Sequence, residues 1–156
     1  MNMKDRSQSI VYINDLEVGR RPPANLSLRT GSAGFVFVGD DGNVGNDLQL
    51  SLSINSTHAL MGHGVIEDLN KVEIQGRVGT GMDVLVPPSQ LEAVRQIFYR
   101  ADSKTYGGTH EFVVGADADT EYRIRIDNRE YQNTLSGLQY LLRTASHEGM
   151  AVWLSI

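Results

Sequence analysis

The chain has 156 residues, of which 40% are hydrophobic and 21% are charged. This length and balance predict one folded domain over residues 1–156 and exclude a disordered or collagen-like chain. The absence of cysteine excludes disulfides, thiolate zinc sites and cysteine nucleophiles. No apolar stretch is long enough for a signal peptide or a membrane span, so we expect a cytoplasmic protein with no membrane partner.

The net charge of −5 is concentrated in the middle of the chain. Residues 31–87 hold seven Asp/Glu against two Lys/Arg, a net −5. Residues 1–30 hold three Asp/Glu and five Lys/Arg, a net +2. Residues 88–156 hold nine Asp/Glu and seven Lys/Arg, a net −2. An acidic surface repels phosphates, so this pattern disfavours nucleic acid and favours a basic protein as the partner.

The front of the chain, residues 9–86, is predicted to be rich in strands. Ser9 to Leu16 alternates as a strand, and Arg20-Arg21-Pro22-Pro23 ends it because two prolines remove two amide donors. Gly34 to Gly39 and Leu48 to Ile54 flank the acidic loop 40–47 in a predicted hairpin. Leucines alternate with polar residues in the second arm, which is typical of a half-buried strand.

The segment after this hairpin is interpreted as a series of short strands. Thr57 to Glu67 contains Gly62-His63-Gly64 and is predicted to be a short strand broken by a flexible turn. Lys71 to Arg77 alternates apolar and polar residues, and Met82 to Val86 is an apolar run that ends at a pair of prolines. We therefore expect two more strands there.

The back of the chain, residues 89–156, is predicted to form a helix, a hairpin, a second helix and a strand. The first helix lies near 89–102, with Ser89 as N-cap and Glu92 completing a capping box. The second lies near 132–147, capped by Asn133 or Thr134. Its buried stripe consists of Leu135, Leu138, Leu142 and Ala145. The closing strand 151–156 is apolar on both faces, which indicates an interior position.

The hairpin between the two helices has the most regular pattern in the chain. Its arms are His110 to Gly115 and Glu121 to Asp127. The predicted cross-strand pairs are Phe112 with Ile124, Val114 with Tyr122, His110 with Ile126 and Glu111 with Arg125. Together these elements predict a single α+β domain with a largely antiparallel sheet, free to curve strongly, two helices and a C-terminal strand.

Sequence motifs of common active sites are missing from the chain. The cluster Gly76-Arg-Val-Gly79-Thr-Gly81 has the wrong spacing for dinucleotide binding, there is no Gly-Lys pair for a phosphate loop, and no serine elbow occurs. Loop 40–47 has the oxygen-rich composition of a calcium site without its register. We therefore predict no catalytic constellation, no metal and no cofactor.

Four histidines, His58, His63, His110 and His147, are the remaining candidates for acid–base chemistry. Residues five apart, such as His58 and His63, point away from each other on a strand and on a helix, so they cannot easily share a ligand. His63 lies between two glycines and is the best single candidate for a catalytic or contact residue.

The leading hypothesis is a non-enzymatic inhibitory module that neutralises a basic protein partner, as toxin-immunity proteins or phage inhibitors neutralise a toxin or nuclease. Its predicted contact residues are acidic: Asp40, Asp41, Asp47, Glu67, Asp68 and Glu73. One alternative is a small hydrolase or nucleotide-handling enzyme that uses His63, His110 and arginines such as Arg20, Arg21 and Arg29. A further alternative is a sheet-based structural or ligand-binding subunit of an assembly.

Overall fold

Helices and strands combine in the α+β architecture that the sequence predicts. The structure is a computed structural model that describes residues 9–13, 28–38 and 44–156. Its strands are β1 (Ser9–Tyr12), β2 (Gly31–Val38), β3 (Val44–Leu52), β4 (Asp83–Val86), β5 (Thr109–Ala116), β6 (Thr120–Asp127) and β7 (Ala151–Ser155). Its helices are α1 (Ile54–Gly62), α2 (Val65–Leu69), α3 (Leu91–Lys104) and α4 (Asn128–Glu148).

The strands divide between two sheets, where the sequence predicted one. The larger sheet has the order β3-β2-β7-β4, and each neighbouring pair is antiparallel. Strand β7 lies between β2 and β4, which confirms the interior position expected of an apolar closing strand. Helix α1 contacts β3 of the larger sheet and β6 of the smaller one, so it lies between the two sheets. No strand of one sheet is hydrogen-bonded to a strand of the other within the described residues.

The smaller sheet has the order β1-β6-β5 and contains the predicted second hairpin. Three predicted pairs are confirmed: Phe112 with Ile124, His110 with Ile126 and Glu111 with Arg125. The pairing of Val114 with Tyr122 is wrong, because a bulge between Val113 and Gly115 brings Gly115 opposite Tyr122. Strand β1 lies on the other side of β6 and runs parallel to it.

Both predicted helices are present, with different starts. A 3₁₀ turn, Pro88–Gln90, precedes α3, so Ser89 is not the N-cap that the sequence suggested. Helix α4 begins earlier than predicted because the Asp127 carboxylate accepts hydrogen bonds from the amides of Arg129 and Glu130. The predicted stripe of α4 is fully buried, and Gly149 ends the helix with φ 67°.

The predicted strand at Thr57 to Glu67 is wrong, because α1 and α2 occupy these residues. The Ser53 hydroxyl caps α1 by accepting a hydrogen bond from the Ser56 amide at 3.2 Å. Ser56 and Thr57 are completely buried, and the Ser56 hydroxyl lies 2.7 Å from that of Thr134 on α4. A helix with polar residues on its buried face lacks the apolar periodicity that would have revealed it.

The predicted strand at Lys71 to Arg77 is also wrong within the described part of the chain. This segment meets β4 only at the isolated bridge between Gln75 and Leu85. The Asn70 side chain shapes the loop instead, since it donates to the Val78 carbonyl and accepts from the Val78 amide. These side-chain hydrogen bonds to the backbone replace the strand-to-strand hydrogen bonds that the alternating apolar and polar residues predict.

The core lies where α4 packs against α3 and against the larger sheet. Leu138 and Leu142 of α4 are buried, as are Val152 and Leu154 of β7. Among the helices of the described part, none combines the length and the apolar character that crossing a bilayer requires.

Candidate functional site

The acidic residues predicted to contact a partner are spread over several parts of the fold. Asp47, Glu67 and Asp68 each line a different pocket. Glu73 is exposed in the segment between α2 and β4. Asp40 and Asp41 lie outside the described residues. Asp47 is therefore the residue of this set that the structure places on the β2–β3 hairpin.

Glu67 and Asp68 have cations as neighbours. Glu67 lines an open pocket that also contains Lys71 and Arg77. Asp68 forms an exposed ion pair with Lys71, with 3.5 Å between the Lys71 Nζ and the carboxylate. Nearby cations neutralise part of the field of these carboxylates, so helix α2 attracts a basic partner less than its own acidic residues suggest.

A groove of about 360 Å³, here called the hairpin groove, lies beside β3. It is lined by Phe35, Asn46, Asp47 and Met150. Phe35 and Met150 are partly buried and pack against the core, whereas Asn46 and Asp47 are exposed. The groove therefore combines an apolar floor with a polar rim that carries one carboxylate.

A β-bulge places Asp47 beside this apolar floor. The register of β2 against β3 shifts between Ala33 and Gly34, so that Gly34 pairs with Leu48 and Phe35 pairs with Asp47. Residues directly opposite each other in an antiparallel pair have side chains on the same face. Phe35 also pairs with the buried Val152 of β7, so Asp47 lies on the face of the sheet that contacts the helices.

A second candidate site surrounds His63, at the junction of α1 and α2. The His63 ring stacks on Tyr131 of α4, with centroids 5.0 Å apart and planes 2° from parallel. It also contacts Phe112 edge-on at 4.9 Å and His110 at 5.0 Å, both from β5. The structure thus brings together the two histidines that the enzyme hypothesis named; His110 lies on the same face of the sheet as its partner, the buried Ile126, and is itself exposed.

Burial controls the electrostatics of this aromatic cluster. Desolvation lowers the pKa of the His63 imidazole, and the nearby His110 lowers that pKa further. Burial also raises the pKa of the Tyr131 phenol well above its usual range, with a smaller effect from the charge of Asp102. The His63 Nε2 and the Tyr131 hydroxyl are buried and have no hydrogen-bond partner among the described residues.

A small cavity of about 110 Å³ adjoins His63. Its apolar wall includes Val65 and Ile97, and its polar wall includes Arg100, Lys104 and Asp68. Both cations project from the last turns of α3, one helical turn apart. We call this space the His63 cavity.

Arg29 is the residue of the enzyme hypothesis's three arginines that the structure describes, and it contacts His58 and Gly79 and not His63. Arg29 donates from Nη1 to the Gly79 carbonyl at 2.9 Å, and its amide donates to Nε2 of the buried His58 at 3.0 Å. Burial and the Arg29 charge lower the pKa of His58, so this imidazole has a structural role as an acceptor. Arg20 and Arg21 lie outside the described residues.

Comparisons with known proteins add no functional assignment. No set of three His, Asp or Glu side chains in the described ranges converges as a metal site would. The chain matches no protein-family model, and neither characterised proteins nor solved structures contain a significant match to it. The candidate functions therefore depend on the geometry of the two sites.

Several residues of these sites were missed from the sequence. The spacing of Arg100 and Lys104 on a predicted helix was a usable signal, because residues four apart share a face. The proximity of these cations to His63 does not follow from the sequence, which predicts a flexible turn at Gly62-His63-Gly64. The pairing of Phe35 with Asp47 depends on a bulge that alternation alone does not show.

Proposed function

We propose that this protein is a non-enzymatic binding module that captures an extended, basic segment of a partner protein at the β2–β3 hairpin. The observation that carries the proposal is the hairpin groove, where the Asp47 carboxylate borders an apolar floor of Phe35 and Met150. We infer further that occupation of this site inhibits the partner.

The charge of this part of the chain supports a cationic ligand. Residues 31–70 contain five Asp/Glu and no Lys or Arg. Asp40 and Asp41 belong, by sequence, to the connection between β2 and β3, and Asp47 follows in β3. Three carboxylates within eight residues would raise the encounter rate with a basic surface, an advantage that salt reduces.

The shape of the hairpin groove matches a lysine or arginine side chain. The methylene groups of such a side chain would pack on Phe35 and Met150, while its cationic head would meet the Asp47 carboxylate. The ring of Phe35 offers a further attraction to a guanidinium. Gln49 donates a hydrogen bond to Oδ2 of Asp47 and holds that carboxylate in place.

The position of β3 supports an extended ligand. Within the described residues, β3 pairs with β2 and forms an edge of the larger sheet. An edge strand offers its free backbone amides and carbonyls to another strand, which is how extended peptides add to sheets. A partner segment added there would run beside the hairpin groove and could place alternate side chains in it.

A toxin or nuclease is the kind of partner that fits this chemistry. Proteins that act on nucleic acid use basic surfaces to contact phosphates. An acidic hairpin that occupies such a surface competes with the nucleic acid for the same cations. Neutralisation would then follow from occupancy alone, with no chemical step in this protein.

The direct test is a calorimetric titration with a short, end-capped peptide that alternates arginine and valine. We expect the wild-type protein to bind it, and binding to weaken as salt is raised. The variant with Asp40→Lys, Asp41→Lys and Asp47→Lys should bind at least about tenfold more weakly, because like charges replace complementary ones.

The matched control reverses three exposed acidic residues elsewhere, with Asp83→Lys, Asp119→Lys and Glu148→Lys. It changes the net charge by the same amount and should retain most of the affinity. Equal losses in the two variants would show that only net charge matters and would contradict a site at the hairpin. An equal affinity for a peptide of glutamate and valine would contradict it as well.

A second candidate function, an enzyme acting at His63, is favoured by the contact between His63 and His110 beside two cations. This function predicts that His63→Ala abolishes the biological activity while the hairpin reversal leaves it intact. The binding function predicts the opposite result in the same cellular assay.

A further inference from the structure

The His63 cavity has the features of an anion site, and this site is separate from the hairpin groove. Its walls come from four parts of the chain: the α1–α2 junction, α2, α3 and the residue that ends α3. A volume of about 110 Å³ accommodates several water molecules or one tetrahedral oxyanion. The cavity is too small to enclose a larger ligand, so any such ligand would extend into solvent.

The charges around the cavity favour an anion. Neither Arg100 nor Lys104 forms an ion pair with any described residue. The one carboxylate in the wall, Asp68, is paired with Lys71 at 3.5 Å. Within the described parts of the chain, the cavity therefore presents two cations that form no ion pair and one carboxylate that already has a partner.

The side chain of His63 adds a polar group that lacks a partner. Its Nε2 is buried and forms no hydrogen bond with the described residues, and buried polar atoms are rarely left without one. The imidazole contacts the rings of His110 from β5 and Tyr131 from α4. It shares the cavity wall with Asp68 from α2 and with Arg100 and Lys104 from α3. An oxyanion in the cavity would lie beside the His63 side chain, which forms part of the wall.

We propose that the His63 cavity binds a phosphate group, held by Arg100 and Lys104 with His63 at the base of the site. Arginine matches two oxygens of a phosphate at once, and lysine contributes a point charge. The group is either inorganic phosphate or the phosphate of a small phosphomonoester whose remainder lies outside the cavity. This ligand is opposite in charge to the basic partner of the proposed function, and it binds at a different place on the protein.

The test is a titration followed by NMR, with inorganic phosphate and glycerol 3-phosphate as separate probes and chloride as the reference salt. We expect both probes to shift the imidazole signals of His63 and the amide of Thr105. Tighter binding of glycerol 3-phosphate would identify an ester as the ligand, whereas equal or weaker binding would identify the free ion.

The variant Arg100→Gln with Lys104→Gln should reduce the affinity for phosphate roughly tenfold or more, because two charge-assisted interactions are lost. Both residues are exposed, so this variant is expected to remain folded. The matched control is Arg95→Gln with Arg143→Gln, which removes one cation from α3 and one from α4, both outside the cavity. Unchanged affinity in the first variant, an equal loss in the control, or no shift at His63 would overturn the proposal.

Discussion

The hairpin groove and the His63 cavity differ in the burial and in the charge of the residues that line them. At the hairpin groove, an exposed carboxylate borders apolar side chains at the edge of a sheet. At the His63 cavity, a partly buried imidazole is stacked on the fully buried Tyr131. The charged residues in the cavity wall are the cations Arg100 and Lys104 and the ion-paired carboxylate Asp68. These charges predict ligands of opposite charge: a cationic ligand at the hairpin groove and an anion at the His63 cavity.

This difference also predicts how the two sites respond to mutation. The charged residue of the hairpin groove, Asp47, is exposed, so it can be replaced at little cost in stability. The aromatic cluster under the His63 cavity belongs to the core, so its replacement costs stability as well as binding. Variants therefore need a folding measurement beside every binding measurement at His63, whereas the hairpin allows function to be separated from folding.

The largest effect is expected at Tyr131. Tyr131→Ala should lower the free energy of unfolding by about 3–5 kcal/mol, because a fully buried ring is lost and a cavity is left. Tyr131→Phe keeps the ring and removes a hydroxyl without a described partner, so it should be close to neutral. Asp47→Ala should change stability by less than about 0.5 kcal/mol. Urea denaturation of the three variants would measure the contrast, and equal costs at Tyr131 and Asp47 would contradict it.

The bulge that positions Asp47 can be broken at Gly34. A Cβ at this position would overlap the Asp47 carbonyl and lie 2.7 Å from the Trp153 indole nitrogen. Gly34→Ala should therefore cost roughly 1–3 kcal/mol or more and weaken binding of the basic peptide.

The control for this prediction is Gly137→Ala in the interior of α4, where a Cβ would meet Leu50 at an ordinary 3.4 Å. Alanine favours the helix by roughly 0.5–1 kcal/mol, so this variant should be neutral or stabilising. A stable Gly34→Ala variant with normal peptide binding would show that the bulge does not position Asp47.

A smaller effect is expected from pH. Burial lowers the pKa of His63 and of His58 below the ordinary value of 6.5 in the folded state. Below that value the unfolded chain takes up protons more readily than the folded protein, so stability falls as the pH drops from about 6.5 through the lowered pKa values. Above about 6.5 the two histidines contribute no pH dependence.

The variant His63→Phe keeps an aromatic ring in the cluster and removes its titration. Thermal melts at a series of pH values should show a smaller loss of stability on acidification than in the wild type, with the remaining loss due to His58 and to carboxylates. Identical pH profiles for the two proteins would mean that His63 is not buried as described.

A small effect is also expected at the exposed ion pairs of the second hairpin. The Glu111 carboxylate forms ion pairs with Nη1 of Arg123 at 3.4 Å and with Nε of Arg125 at 3.7 Å. Glu111→Gln should cost less than about 1 kcal/mol, because exposed pairs are screened by water and salt. Chemical denaturation at low and high salt would measure this cost, and a larger loss that salt does not reduce would show a buried role for this carboxylate.

The fold was predictable where periodicity and burial agree. Leu138 and Leu142 of α4, and Phe112 opposite Ile124, follow their patterns because one face of each element is apolar and buried. The pattern failed at α1, where Ser56 and Thr57 are buried and form part of the helix–helix contact. A helix whose buried face is polar shows the same polar sequence pattern as a loop.

The sites were less predictable than the fold because both depend on tertiary contacts. The approach of His63 to Tyr131 joins residues 68 positions apart in the sequence, through the packing of α1 on α4. Acidic composition identified Asp47, but the bulge that brings it beside Phe35 gives no signal in the sequence. Charge could thus suggest the ligand class without locating the surface.

One NMR experiment tests the central claim that the two sites bind ligands of opposite charge independently. The arginine–valine peptide and inorganic phosphate are added in turn to the same labelled protein, and the shifted signals are mapped. We predict that the peptide shifts signals of Phe35, Asp47 and Met150, that phosphate shifts those of His63 and Thr105, and that each ligand leaves the other set unchanged. Peptide-induced shifts centred on His63, or phosphate-induced shifts centred on Met150, would contradict the account.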